Sequence, residues 1–397
     1  MPAGTAFHAR TSALCHSNDW RLWSGFLVAS TYNDFSQPEY SAIRHAAAAI
    51  DVSPLYKYWV SGPDAPLFTN RVFAQDTAKM DVGRVVYTPW CDSDGSVRQE
   101  GTVFRLSEDA YQVCAAEQAI GWLHRNAIGL DVTIRDRSDD FGAIALQGPN
   151  SRDILRAVSS APVDDLKFFR FTAGEIAGAS VIVSRTGYTG DLGYEIWIPQ
   201  DKALDVWDAL IEGGEPYHIT PCGLAAMDIA RIEAGFVLIS VDYVSSEVAR
   251  LPHHKTSPYE LGLGWAVKLD KGVNFVGRSA LALEKEAPKQ RRVVGLEIDW
   301  ESLEDIYLRE GLMPDLPLAP RREPVPVYDR GGKQVGRVTT RVWSTMLKKY
   351  IGLATVDAAY AEPGTDVSME VTVDFARRNA PARVVKLPFY RPDRMRS

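Results

Sequence analysis

Cysteine and histidine are scarce in this chain, at four and seven of 397 residues. Cys15, Cys91, Cys114 and Cys222 are widely dispersed and make none of the paired spacings that zinc or redox motifs use, so they read as reduced structural thiols. The one adjacent histidine pair, His253-His254, is flanked by Leu251-Pro252 and Lys255-Thr256, which supply no further ligands, and no metal site is expected. Basic excess is also lacking. A net charge of −7 and a pI near 5.6 exclude the positive surface that a nucleic-acid partner would demand. No apolar run approaches the length of a membrane span, and the amino terminus lacks a basic stretch followed by an apolar one. The expectation is a cytoplasmic protein without a membrane partner. Internal repeats and low-complexity tracts are absent as well.

The chain is long enough for two or three units with ample cores, and 46% hydrophobic with 24% charged residues is an ordinary globular balance. An alanine-rich helix is expected from about Pro38 to Ala49, then a strand around Tyr56 to Val60. Further strands are expected near Val85 to Tyr87, Val103 to Leu106 and Tyr111 to Cys114, with Asp92-Ser93-Asp94-Gly95-Ser96 as a hairpin turn. Strands mixed with helices and hairpins indicate an α+β body. From Leu281 to Arg292 charge density rises, and short β segments follow at Val293 to Ile298, Val325 to Tyr328, Gln334 to Arg341 and Val367 to Val373. Gly331-Gly332 signals another hairpin, and the pattern suggests a carboxy-terminal β-barrel. Residues 300 to 324, with five prolines or glycines, read as a surface loop.

The densest signal is the run Ser184-Arg185-Thr186-Gly187-Tyr188-Thr189-Gly190-Asp191-Leu192-Gly193-Tyr194-Glu195-Ile196-Trp197. Val181 to Val183 reads as a strand, Gly187 to Gly193 as a turn and Tyr194 to Trp197 as the returning strand. Glycines at 187, 190 and 193 let backbone approach a flat ligand. Alternation places Tyr194 and Ile196 on one face, Glu195 and Trp197 on the other. A carboxylate beside aromatic rings can accept paired hydrogen bonds from an aminopyrimidine-like edge. The plainer reading is a hairpin carrying a solvated glutamate.

That run resembles the signature R-T-G-Y-T-G-E-x-G-F/Y-E of the folate-binding aminomethyltransferase family, typified by the T protein of the glycine cleavage system, with Asp191 in place of the glutamate. Leu146-Gln147-Gly148-Pro149-Asn150, Gly223 to Gly235, Gly264 to Leu269, Phe275 to Arg278 and Leu387 to Tyr390 resemble further family segments in the same order. The resemblance implies an α+β fold of three domains in a ring, with a carboxy-terminal β-barrel and a central folate channel. It divides the chain into a discontinuous folate-binding domain of residues 1–50 plus 140–260, a second domain of 51–139, and the barrel at 280–397. It implies tetrahydrofolate as cofactor, with Glu195 and Tyr188 on the pterin, and places Gln99, Glu100, Arg231 and Trp265 in folate-binding segments. Arg231 can equally lock Glu233 or Asp228 within its helix.

Two departures bear on the reaction. Where glycine cleavage proteins read G-G-I-x-D-D, this chain has Gln99-Glu100, and a longer carboxylate with a neutral amide cannot reproduce that geometry. The P-L-Y-G-x-E element is likewise replaced by Phe236 to Tyr243, continuing to Pro252-His253-His254-Lys255. In these respects the chain looks more like the demethylase branch. Its best-fitting members are the vanillate-type and dicamba-type enzymes that move a methyl group from a methoxybenzoate to tetrahydrofolate. Such chemistry expels a phenolate, which needs a proton or hydrogen bond, and His254, His253, Tyr243 and Tyr32 are the candidates in that order. Arg21, Arg98 and Lys255 are candidates for the aromatic carboxylate.

On this reading the partner is a small methyl donor and no lipoyl carrier protein is expected. The rivals are N- or S-demethylation, whose cationic donors favour an aromatic cage or carboxylates, and aminomethyl transfer of the glycine cleavage type. A non-catalytic folate-binding role is opposed by the absence of a K-G-C-Y-x-G-Q motif.

Overall fold

In the computed structural model, which describes residues 2–287 and 290–396, the alanines expected to end a helix instead form a strand. The helix is Gln37–His45, and Ala47–Asp51 is fully buried in the largest sheet, antiparallel to Phe141–Gln147 and parallel to Ile219–Cys222. Alanine's helical preference amounts to less than about 1 kcal/mol per residue, which ladder pairing on both sides and burial readily exceed. The chain divides into two compact units.

The first unit comprises Met1–Met227, Ala266–Arg278 and Pro392–Ser397. Its six-stranded sheet runs in the order Phe171–Ile176, Ala179–Ser184, Gly193–Pro199, Phe141–Gln147, Ala47–Asp51, Ile219–Cys222. One face carries Tyr194, Ile196 and Ile198 into a core with Ile154 and Leu155 of helix Ser151–Val158 and Val206, Trp207 and Leu210 of helix Ala203–Gly214. A five-stranded sheet follows the order Val85–Cys91, Val97–Ser107, Ala110–Ala115, Tyr56–Ser61, Thr133–Asp136. Its Tyr58, Val60, Val103, Tyr111 and Val113 pack against Phe68 and Val72 of helix Ala65–Val72 and Leu123 of helix Ile120–Asn126. The expected hairpin turn at 92–96 is present, closed by a bond from Asp92 N to Ser96 O of 2.9 Å with Gly95 at φ 82°.

The second unit comprises Asp228–Trp265 and Ser279–Arg391. Six strands close into the expected barrel, in the order Arg291–Ile298, Lys349–Asp357, Gln334–Ser344, Val325–Tyr328, Asp366–Val373, Ala376–Val385. The surface loop expected at 300–324 begins instead with helix Trp300–Arg309. Asp299 caps it by accepting the Ser302 N–H at 2.8 Å, and Trp300, Leu303, Ile306 and Tyr307 pack on the barrel core. The prolines that suggested a loop all lie beyond it. Of the charge-rich stretch 281–292, residues 288 and 289 lie outside the described residues. Among the described residues no helix is long and apolar enough to cross a membrane, and no group of His, Cys, Asp and Glu side chains is arranged to hold a metal.

Candidate functional site

Antiparallel register fixes which side chains share a face, and in the first unit it assembles a polar layer between the two sheets. Strands Ala179–Ser184 and Gly193–Pro199 pair with Ser184 opposite Glu195 and Ile182 opposite Trp197. On the other side Ala145 and Ala143 stand opposite Glu195 and Trp197. The side chains beside the carboxylate on that strand are thus the small, buried alanines. In the five-stranded sheet, Glu100 is opposite Pro89, Thr102 is opposite Tyr87 and Cys114, and Cys114 is opposite Lys57. These residues lie on the face turned away from the Ala65–Val72 and Ile120–Asn126 helices. The two sheets meet where Phe104 and Trp197 pack edge to face at 5.9 Å and where Lys57 Nζ lies 5.7 Å from the Trp197 ring centre.

Glu195 is the centre of this layer. Its Oε2 accepts the Thr186 hydroxyl at 2.5 Å, and Thr186 Oγ1 is 2.7 Å from Ser184 Oγ. Burial pushes the Glu195 carboxyl above its ordinary value, against the smaller opposing effect of the Thr186 bond. Cys114, whose thiol burial pushes up to about 12, lies within electrostatic reach of Glu195 and hydrogen-bonds with Gln112 and Thr102. Burial likewise pushes the Tyr87 phenol far above its usual range, reinforced by Glu100 and Tyr188 beside it. The sequence-derived pterin residues Glu195 and Tyr188 therefore fall in one layer with Glu100. Lys57 is held by the carbonyls of Ser53 and Leu55, both at 2.8 Å, and burial lowers its ammonium to about 8.

Two glycines of the turn, Gly187 and Gly193, make room for a buried side chain. A Cβ on Gly187 would lie 2.1 Å from Gln147 Oε1, and one on Gly193 would lie 2.3 Å from it. The amide of Gln147 donates to Thr186 O at 3.3 Å and Tyr194 O at 3.2 Å, and its oxygen accepts the Thr189 hydroxyl at 2.8 Å. The turn is thus wrapped around a buried side chain of the Leu146 to Asn150 segment.

The remaining candidates belong to both units. Gln99 is buried with its amide oxygen accepting the Glu117 N–H at 3.1 Å, so its side chain is committed to backbone. Tyr32 is buried beside Cys15 and Ala29, and desolvation raises its phenol well above the ordinary range. Arg98 pairs with Asp92 at 2.9 Å and lies over the Trp122 ring. In the second unit, Arg231 is fully buried and donates Nε to Asp228 at 2.7 Å and Nη1 to Asp242 and to Phe236 O at 3.1 Å. Asp228 also takes Arg322 at 2.8 Å, and Asp242 takes Thr339 at 2.5 Å and Thr340 at 3.1 Å. Of the two roles open to Arg231, the packing one is visible in its pairing with Asp228 and Asp242. Tyr243 is buried, whereas His253 is exposed on the short turn Pro252–His254 with its ring edge to face with His254 at 4.4 Å. Trp265 is exposed.

The residues of the inter-sheet layer fit a pterin. Glu195 would accept from the donors of an aminopyrimidine edge, its neighbours on the adjoining strand are small alanines, and the buried Trp197 Nε1 has no hydrogen-bond partner among the described residues. Fold and site together define a folate-dependent one-carbon transferase. The GCVT N-terminal domain family matches residues 6–271 and the glycine cleavage T-protein C-terminal barrel domain matches 291–391, and the chain belongs to this family. The family uses tetrahydrofolate.

Similar proteins include an aminomethyltransferase of Halothermothrix orenii, 35% identical over 88% of this chain and 90% of that protein. A trimethylamine-oxide aldolase of Ruegeria pomeroyi is 34% identical over 100% of this chain and 48% of that protein. The glycine cleavage system aminomethyltransferase T from Bartonella henselae has the same fold, with a TM-score of 0.83 over 98% of each chain at 22% identity. These relatives give no support to aryl methyl ether demethylation, the reading that Gln99-Glu100 and the 236–255 segment favoured.

Proposed function

We propose that this enzyme transfers a one-carbon unit bonded to nitrogen, from a cationic small amine or an aminomethylated carrier, to tetrahydrofolate. The observation that carries the reading is buried Glu100 on the strand that pairs with Tyr87, two positions from the residue opposite Tyr87, with Glu100 and Tyr188 both within electrostatic reach of that phenol. A carboxylate among aromatic rings suits an ammonium group and repels a benzoate. Arg98, a candidate clamp for an aromatic carboxylate, is engaged by Asp92. The names of the relatives, an aminomethyltransferase and a trimethylamine-oxide aldolase, also concern carbon attached to nitrogen.

When bound, tetrahydrofolate supplies the nitrogen nucleophile that accepts the carbon. Glu195, oriented by Thr186, holds the pterin edge, and Tyr188 covers the ring. Glu100 holds the donor's positive nitrogen near the acceptor while the sheets exclude water. For a cationic amine donor, a bond from the folate nitrogen to carbon forms as the donor's carbon–nitrogen bond breaks, the electron pair going to the departing amine, which takes up the proton that the folate nitrogen loses. For an aminomethylated carrier the carbon–sulfur bond must break as well, the sulfur leaving as a thiol while a second folate nitrogen bonds to the carbon. No phenolate develops, and the reaction does not require an acid from His253, His254, Tyr243 or Tyr32. A lipoyl-type carrier returns to the set of donors on this reading.

The test is a tetrahydrofolate-dependent assay across methylated amines, an aminomethylated lipoyl carrier and methoxybenzoates, with Glu195→Ala alongside. Turnover of a nitrogen-bound donor is expected, and Glu195→Ala should weaken folate binding by roughly 2–4 kcal/mol by leaving its donors unpaired. Turnover confined to methoxybenzoates overturns the proposal.

A further inference from the structure

The glycine-rich turn is also gripped by a residue two hundred positions away. The Asp191 carboxylate is fully buried and pairs with two arginines, Arg44 and Arg394. Arg44, on helix Gln37–His45, donates Nη1 to Asp191 Oδ2 at 3.2 Å and to Thr189 O at 3.0 Å. Arg394, on the short turn Asp393–Met395, donates Nε to Asp191 Oδ1 at 2.6 Å and Nη2 to Oδ2 at 2.9 Å. Its Nη2 also reaches Arg44 O at 2.9 Å. The Leu192 N–H completes the carboxylate at 2.8 Å. A second hold comes from Arg396, whose guanidinium lies 5.7 Å from the centre of the Phe168 ring.

Two parallel bonds between a guanidinium and a carboxylate fix angle as well as distance, which a single contact does not. Asp191 lies between Tyr188 and Glu195, so whatever orients it orients the segment that carries both. Arg44 would remain paired with Asp191 at 3.2 Å, and removing Arg394 therefore loosens the turn without stranding a buried charge.

We propose that Arg394 is a positioning residue for the folate site, and that residues 392–396 form a strap holding the glycine-rich turn in its pterin-receiving conformation. The inference rests on the folate reading of this turn. Arg394 acts through Asp191 and the Arg44 carbonyl, and touches no ligand itself.

The experiment compares Arg394→Ala and Arg394→Lys with the unaltered full chain. It reads tetrahydrofolate affinity by calorimetry, amide hydrogen exchange over residues 186–193, and Tm. Arg394→Ala is expected to raise the tetrahydrofolate Kd about tenfold, the scale of one lost charge-assisted bond, and to speed exchange in the turn while Tm barely moves. Arg394→Lys should recover part of the affinity, since one charged donor remains. Unchanged turn exchange, unchanged Kd, or a Kd shift that merely tracks a loss of Tm overturns the proposal. Failure of the folate reading shows separately, as absent tetrahydrofolate binding in the unaltered protein.

Discussion

Gln147 occupies the space that a side chain on Gly187 would need, its Oε1 standing 2.1 Å from the position of a Cβ there. The same amide blocks Gly193 and ties together Thr186, Thr189 and Tyr194. The glycine signature is therefore half of a packing pair whose other half lies some forty residues earlier.

Gly193→Ala should cost about 1–3 kcal/mol of stability by overpacking against this amide. Combined with Gln147→Ala, the loss should be smaller than the sum of the two single variants, because the clash and its partner vanish together. Urea unfolding of the four proteins measures the coupling, and strict additivity would remove Gln147 as the reason for glycine at 193.

Stability should depend on pH through Glu195. Its carboxyl is raised in the folded state, so between the ordinary glutamate value and its folded value the native protein holds a proton that the unfolded chain has lost. Its contribution is present at low pH and is lost as pH rises through the folded value. Glu195→Gln, which cannot ionise, should therefore gain stability relative to the unaltered enzyme above about pH 4.5 while binding folate more weakly. Thermal melts without ligand from pH 4 to 8 test this, and parallel Tm curves would show that Glu195 is not desolvated.

Arg231→Ala should destabilise the enzyme by about 3–5 kcal/mol, since Asp228 and Asp242 would lose the cation they share in a buried site. Arg322 would still reach Asp228, but Asp242 would keep only hydroxyl and backbone donors. Denaturant unfolding with folate titration separates the roles: normal stability with lost folate binding would return Arg231 to the ligand.

Much of the fold was legible because local chemistry and tertiary context agree. The Val325–Tyr328 strand, the Asp92 to Ser96 turn and the alternation of Tyr194 and Ile196 against Glu195 and Trp197 all follow from periodicity and turn residues. The helix at Trp300–Arg309 was obscured by the prolines beyond it, although Asp299 three residues before Ser302 was a readable cap.

By itself the sequence determined the family, through ordered motifs spread along the chain, and with it the use of tetrahydrofolate and the carboxy-terminal barrel. It also determined that Glu195 would share a strand face with Trp197, because side chains alternate whatever the strand packs against. Only the tertiary structure decided that Ala47–Asp51 is a central strand, that Gln147 fills the glycine turn, that Arg394 reaches Asp191, and that Arg231 serves an ion-pair network. Each depends on a partner distant in sequence. A local pattern cannot report such a contact, because burial and charge pairing act only once the chain has brought the partners together.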